Sequence, residues 1–213
     1  MLDEKISQKA KEILGELPNP VKLVAFTREA ECDWCAQNLE LARDVAALSD
    51  RITLEEHDFV ADGEARSRYG IDKVPALVVE AAEDYGIRFY GVPSGYEFVS
   101  LLDVIKVLST GEHGLSEGTV AGLALIDIPV RLQVFVTPTC PYCSRSVVLA
   151  NRLAFVSAEI RSEMVEAIEF PDLANRYGVM GVPRSVINED NFIEGALPED
   201  AYVGKILSFL GKS

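Results

Sequence analysis

The sequence predicts an α/β protein made of two homologous units in tandem, each a central mixed β-sheet flanked by helices. Three observations predict it. Two Cys-x-x-Cys pairs are present, Cys32/Cys35 in "ECDWCAQN" and Cys140/Cys143 in "TPTCPYCSRS". Their surroundings match: "NPVKLVAFT" and "IPVRLQVFVT" precede the pairs, and "RYGIDKVP" and "RYGVMGVP" follow them. The spacing is held as well, with 43 positions from Cys32 to Pro75 and 43 from Cys140 to Pro183. Features kept at one spacing in both halves mark an internal repeat. The units read as residues 1–112 and 113–213, joined near "STGEHGLSEG", which also opens the second unit's first helix. Each is long enough to bury its own core.

The elements follow in order. Ile6, Ala10, Ile13, Leu14 and Leu17 lie at helical spacing and predict an amphipathic first helix. Short apolar strands are predicted over 21–26 and 130–136. Each cysteine pair then opens a helix, "AQNLELARDVAAL" or "SRSVVLANRLAFV". A second strand is expected over 52–58 in one unit and 164–168 in the other, followed by a short helix ending in Arg-Tyr-Gly. Beyond Pro75 and Pro183 come strands in "ALVVEAA" and "RSVINED", then "IRFYG" and "NFIEG". The closing helices are "YEFVSLLDVIKVLS" and "AYVGKILSFL". Alternation of βαβ with ββα gives the mixed sheet.

Composition narrows the function. A formal net charge of −14 makes nucleic acid a poor partner, because nothing gathers Lys and Arg against phosphate repulsion, and disfavours anionic membranes for the same reason. "MLDEKISQKAKE" alternates charge where a signal peptide needs an apolar core, and no apolar run reaches the roughly 18 residues of a membrane span. A cytoplasmic protein is expected. In that compartment a Cys-x-x-Cys pair is more often catalytic or metal-binding than structural.

Cys-x-x-Cys at a strand-to-helix junction, with Val-Pro 43 residues further on, resembles the thioredoxin fold, and "CPYC" resembles the glutaredoxin form of the motif. Two such units in tandem resemble the protein disulfide oxidoreductases of archaea and bacteria, through "VFVTPTCPYC", "MVEAI", "VMGVP" and "YGIRFYGVPSGYEF". The chain is also similar to the N-terminal domain of the alkyl hydroperoxide reductase flavoprotein. The resemblance implies exchange of protein disulfides through the cysteine pairs, with no cofactor beyond the redox-active disulfides themselves. It implies a thioredoxin-reductase-like flavoenzyme as electron donor and, in a narrower reading, a peroxiredoxin as acceptor. It also implies cis bonds at Pro75 and Pro183, with the backbone of Val74 and Val182 offered to a substrate strand.

The chemistry needs a thiolate. The first cysteine attacks a substrate disulfide, and the second resolves the mixed disulfide and releases the product. A helix N-terminus favours the thiolate by about 0.3–1 kcal/mol when exposed and up to about 2 kcal/mol when partly buried. Glu29, Glu31 and Asp33 oppose that effect at Cys32, whereas Cys140 has no acid within five positions and has Arg145 downstream. Cys140 is therefore expected to be the stronger nucleophile with Cys143 as its resolving partner, and Cys32/Cys35 a weaker or differently poised pair. Tyr142 and Trp34 are candidate substrate contacts; Trp34 reads equally well as a partly exposed aromatic. Phe26, Phe135, Tyr69 and Tyr177 read as core, and His57 and His113 receive no role.

Thioredoxins resemble one another in a buried acid six positions before the first cysteine. Here Phe26 and Val134 occupy those positions. In the alkyl hydroperoxide reductase relative an acid in "GHEF" lies beside the second unit's cysteines, and this chain reads "GYEF", which makes Glu97 the candidate proton acceptor for Cys143. The corresponding position near Ala201 is not acidic. An acid in the first turn of a helix is favourable in any case, so a purely structural Glu97 stands beside this reading. Two other functions also stand beside dithiol exchange. A four-cysteine zinc site is disfavoured because such sites separate their pairs by about 15–20 residues, whereas Cys35 and Cys140 are 105 apart, and no metal is expected. A peptide-binding module with residual dithiols is the third.

Overall fold

The protein, described as a computed structural model over residues 2–212, has eight strands in one sheet. The strands are β1 (Val21–Thr27), β2 (Ile52–Asp58), β3 (Ala76–Glu80), β4 (Ile87–Tyr90), β5 (Val130–Val136), β6 (Ile160–Glu166), β7 (Arg184–Ile187) and β8 (Asn191–Glu194). The helices are α1 (Glu4–Leu14), α2 (Cys35–Ala46), α3 (Gly63–Tyr69), α4 (Phe98–Thr110), α5 (Glu117–Leu123), α6 (Cys143–Val156), α7 (Pro171–Arg176) and α8 (Glu199–Phe209). A single 3-10 turn, Gly95–Glu97, leads into α4.

Each unit contributes four strands, and the two half-sheets join edge to edge in the order β2-β1-β3-β4-β6-β5-β7-β8. The join is a parallel pairing of β4 with β6, Ile87 opposite Ser162 and Tyr90 opposite Val165. β3 and β4 are buried along their whole length. Strands covered on both faces read as unbroken apolar runs, as "ALVVE" and "IRFY" nearly do. The larger core lies between one face of the sheet and helices α1, α2, α4, α6 and α8; a smaller core lies under α3 and α7 on the other face.

Two expectations are corrected. The strand expected over 164–168 is β6, Ile160–Glu166. Arg161, Ser162 and Glu163 interrupt its apolar pattern, yet they are part of the strand because the seam between the units pairs them. Glu163 is fully buried; its Oε1 and Oε2 accept from Nε and Nη2 of Arg131 at 3.0 and 2.8 Å. Arg161 Nε lies 2.7 Å from the same carboxylate, and Arg161 Nη2 donates to the Gly70 carbonyl of the first unit at 2.7 Å. The first helix ends at Leu14, with Gly15 at φ 59°, so Leu17 is buried from the following turn while Ile6 and Ile13 are exposed.

The seam predicts a stability effect. Glu163→Gln removes the charge shared by two guanidinium groups, and breaking a buried ion pair from one side costs about 3 kcal/mol or more. Urea denaturation of the disulfide form is expected to read that loss. A change below about 1 kcal/mol, the scale of an exposed pair, contradicts it.

Candidate dithiol sites

Both cysteine pairs sit on one edge of the sheet. β1 is antiparallel to β3, β3 antiparallel to β4, β4 parallel to β6 and β6 parallel to β5, so β1 and β5 run the same way. Cys32 and Cys140 follow the C-terminal ends of those two strands. Four strand steps of about 4.8 Å separate β1 from β5, or roughly 19 Å. Zinc–thiolate bonds are about 2.3 Å long, so the two pairs cannot share one ion.

Within each pair the second cysteine is the first residue of its helix, Cys35 of α2 and Cys143 of α6. Neither helix has a side-chain N-cap. The first-turn N–H groups and the positive helix end are therefore left for the sulfurs. Both pairs are closed as disulfides, Cys32–Cys35 and Cys140–Cys143. Cys35 and Cys143 are buried; Cys140 retains 8% of its surface and Cys32 is half-buried. An exposed first sulfur before a covered second one is the order that attack followed by resolution requires.

The bonds Val74–Pro75 and Val182–Pro183 are both cis. Cys140 Sγ lies 3.7 Å from the Val182 carbonyl oxygen, so the second dithiol faces its proline loop directly. Tyr142 is 60% exposed and Trp34 39% exposed. Around the second pair further apolar side chains stand in solvent on the same sheet edge: Tyr96, Ile168 and Met180. At the first pair the corresponding apolar surface comes from Trp34 and Val60. The acids near Cys32 are less opposed to a thiolate than their number implies, because the Arg28 guanidinium pairs with Glu31.

Glu97 is 1% exposed, in the 3-10 turn that packs against α6. That turn is fastened to the loop before Cys140: the Tyr96 N–H donates to the Pro138 carbonyl at 3.0 Å. One carboxylate oxygen of Glu97 accepts from Ser100 Oγ at 3.0 Å, and the other is buried without a partner. Burial pushes the Glu97 carboxyl up to about 7, against the opposing effect of the Ser100 hydrogen bond. Gly95 has φ +59°, and a Cβ there would stand 2.2 Å from the Pro138 oxygen. Gly95→Ala is thus expected to displace the turn, costing about 1–3 kcal/mol and slowing exchange at the second pair more than at the first. Rates for each pair, with the other pair changed to serine, check this; equal slowing contradicts it.

Two polar residues not singled out by sequence also lie at the dithiols. Asn38 and Ser146, 108 positions apart like the cysteine pairs, are buried on α2 and α6, and Asn38 Oδ1 and Ser146 Oγ have no partner. A polar residue within an otherwise apolar helical stripe, repeated in both copies, was the available signal. Among the described residues no group of three or more His, Cys, Asp or Glu side chains is arranged to hold a metal ion, and no helix is long and apolar enough to cross a membrane.

One continuous sheet carrying two dithiols, each opening a helix opposite a cis proline, defines a tandem thioredoxin-fold redox protein. Residues 130–208 match the thioredoxin domain family. A protein disulfide oxidoreductase from Aeropyrum pernix is 30% identical, covers 100% of this chain with 96% of its own, and superposes with a TM-score of 0.92. The chain belongs to that protein disulfide oxidoreductase family. The N-terminal domain of the alkylhydroperoxide reductase AhpF from Enterococcus faecalis is 26% identical, with 96% of this chain and 99% of that one covered and a TM-score of 0.89. The corresponding alkyl hydroperoxide reductase flavoprotein from Escherichia coli is 27% identical over 97% of this chain, which spans 37% of that protein's length.

Proposed function

We propose that the protein exchanges disulfides in protein substrates, with Cys140 as the leading nucleophile, Cys143 as its resolving partner and Glu97 as the base that takes the Cys143 proton. The observation that carries this reading is the pairing of a rim-exposed Cys140, in contact with the Val182 carbonyl, with a buried carboxyl in the turn fastened to the same loop. A substrate strand pairs with the backbone of Val182 beside Pro183, and Tyr142 covers its apolar side. Val74, Pro75 and Trp34 serve the Cys32/Cys35 pair in the same way. The division into units at residues 112 and 113 belongs to this reading, since α4 ends at Thr110 and α5 begins at Glu117.

A flavoenzyme of the thioredoxin-reductase type supplies the electrons. The likeness to the alkyl hydroperoxide reductase AhpF favours a second reading, a relay that passes electrons from a flavoprotein to a peroxiredoxin. Reduction of insulin by dithiothreitol in the presence of the protein tests the general reading. Faster precipitation of the insulin chains is expected. Insulin left untouched while a peroxiredoxin is reduced would select the relay, and activity on neither would reject both.

A further inference from the structure

Asn38 and Ser146 occupy the same place behind the two dithiols. On α2 the buried stripe runs Cys35, Asn38, Leu41, Ala42, Val45; on α6 it begins Cys143, Ser146, Val147. Residues three apart on a helix share a face, and side chains lean toward the N-terminus, so each polar group leans toward the turn that holds the second cysteine. Asn38 is 1% exposed and Ser146 3%. Neither Asn38 Oδ1 nor Ser146 Oγ has a hydrogen-bond partner. The serine even forgoes the bond to the carbonyl one turn earlier that a helical serine commonly makes. Buried oxygens without a donor are unfavourable, and here two appear at equivalent positions in both copies, in the disulfide state. That state has no S–H group at Cys35 or Cys143.

We propose that Asn38 and Ser146 are positioning residues for the second cysteine of each pair: each accepts a hydrogen bond from the S–H that Cys35 or Cys143 gains on reduction, and so favours the dithiol over the disulfide. The step balances. A donor dithiol breaks the Cys–Cys bond and closes a disulfide of its own; two electrons and two protons pass to the pair, and one proton ends on Cys35 or Cys143. A thiol is a weak donor, but the acceptor it meets has no other partner. The two units use different acceptors at this place, an amide and a hydroxyl, and can tune their pairs separately. The inference rests on reading both pairs as dithiol–disulfide couples.

The test is equilibration with mixtures of reduced and oxidised glutathione, read by thiol alkylation and mass spectrometry. Cys140→Ser/Cys143→Ser isolates the first pair and Cys32→Ser/Cys35→Ser the second. Asn38→Leu is expected to move the first pair about threefold to tenfold toward the disulfide, tenfold corresponding to about 30 mV. Asn38→Ser, which installs the acceptor found in the other unit, is expected to stay within about twofold of wild type, the limit below which a shift on the same scale is not distinguished. Ser146→Ala should move the second pair in the same direction, and Ser146→Thr should restore it. Since Ser146→Ala removes a single oxygen, it decides the matter if Asn38→Leu does not fold. Couples that equilibrate with unchanged constants, or that move toward the dithiol, overturn this inference alone. A pair that does not equilibrate with glutathione overturns the redox reading and this inference together.

Discussion

Cys140→Ser is expected to remove most of the disulfide-reducing activity, at least about tenfold, while Cys32→Ser leaves a substantial part. The scale follows from what the second site has and the first lacks. General base catalysis at a transfer step contributes about 10²–10⁴-fold, and the candidate base, Glu97, belongs to the turn fastened to the loop of Cys140. The residues six positions before each first cysteine, Phe26 and Val134, are buried and apolar, so neither site has an acid there. Repulsion by the acids around Cys32 adds less than their count implies, since Arg28 pairs with Glu31 and exposed carboxylates are screened. The inequality therefore rests chiefly on Glu97. Insulin reduction by the two variants measures it, and equal losses would contradict the assignment.

Glu97→Gln is expected to slow resolution of the mixed disulfide at Cys140 by about tenfold or more and to leave the first attack unchanged. Only the ionised carboxylate accepts a proton. With the Glu97 carboxyl raised to about 7, resolution in the wild type should quicken as pH rises through that value, and the variant should lose the inflection. Stability runs the other way. The folded protein holds a proton on Glu97 between the ordinary 4.5 and about 7, so folding is favoured at the acid end, weakens as pH rises across that window and is level above it. The same sign applies to Glu169, raised to about 7 by burial beside Glu166. Glu97→Gln removes its own share of the weakening and leaves that of Glu169. Rapid-mixing kinetics of a trapped Cys140 mixed disulfide check the first part and thermal unfolding at pH 5 and pH 8 the second. An unchanged pH profile would place the proton elsewhere.

The repeat was legible because its markers are local: a dithiol that must open a helix, a Val-Pro that must begin a strand, and a fixed distance between them. The cis bonds and the candidate role of Glu97 came from family resemblance, because "GYEF" by itself reads as an ordinary helix start. What buries Glu97 is distant in sequence, the seating of Gly95 on Pro138 in the other unit. The fusion of the half-sheets was hidden for a similar reason. Nothing within "IRFY" names β6 as its neighbour, and the charges of "IRSEMVE" look like solvent-facing polarity until Arg131, Arg161 and Glu163 are seen together across the seam. Asn38 and Ser146 look like ordinary surface residues until their burial is known.

The central claim is that exchange begins at Cys140. The direct measurement is to trap the first covalent intermediate. With Cys35→Ser and Cys143→Ser combined, neither pair can resolve, and a limiting amount of disulfide substrate stays attached to whichever sulfur attacked it. Peptide mapping by mass spectrometry then locates the adduct. The account predicts that most of it lies on Cys140 at early times. An adduct found mainly on Cys32, or divided evenly between the two sulfurs, would contradict it.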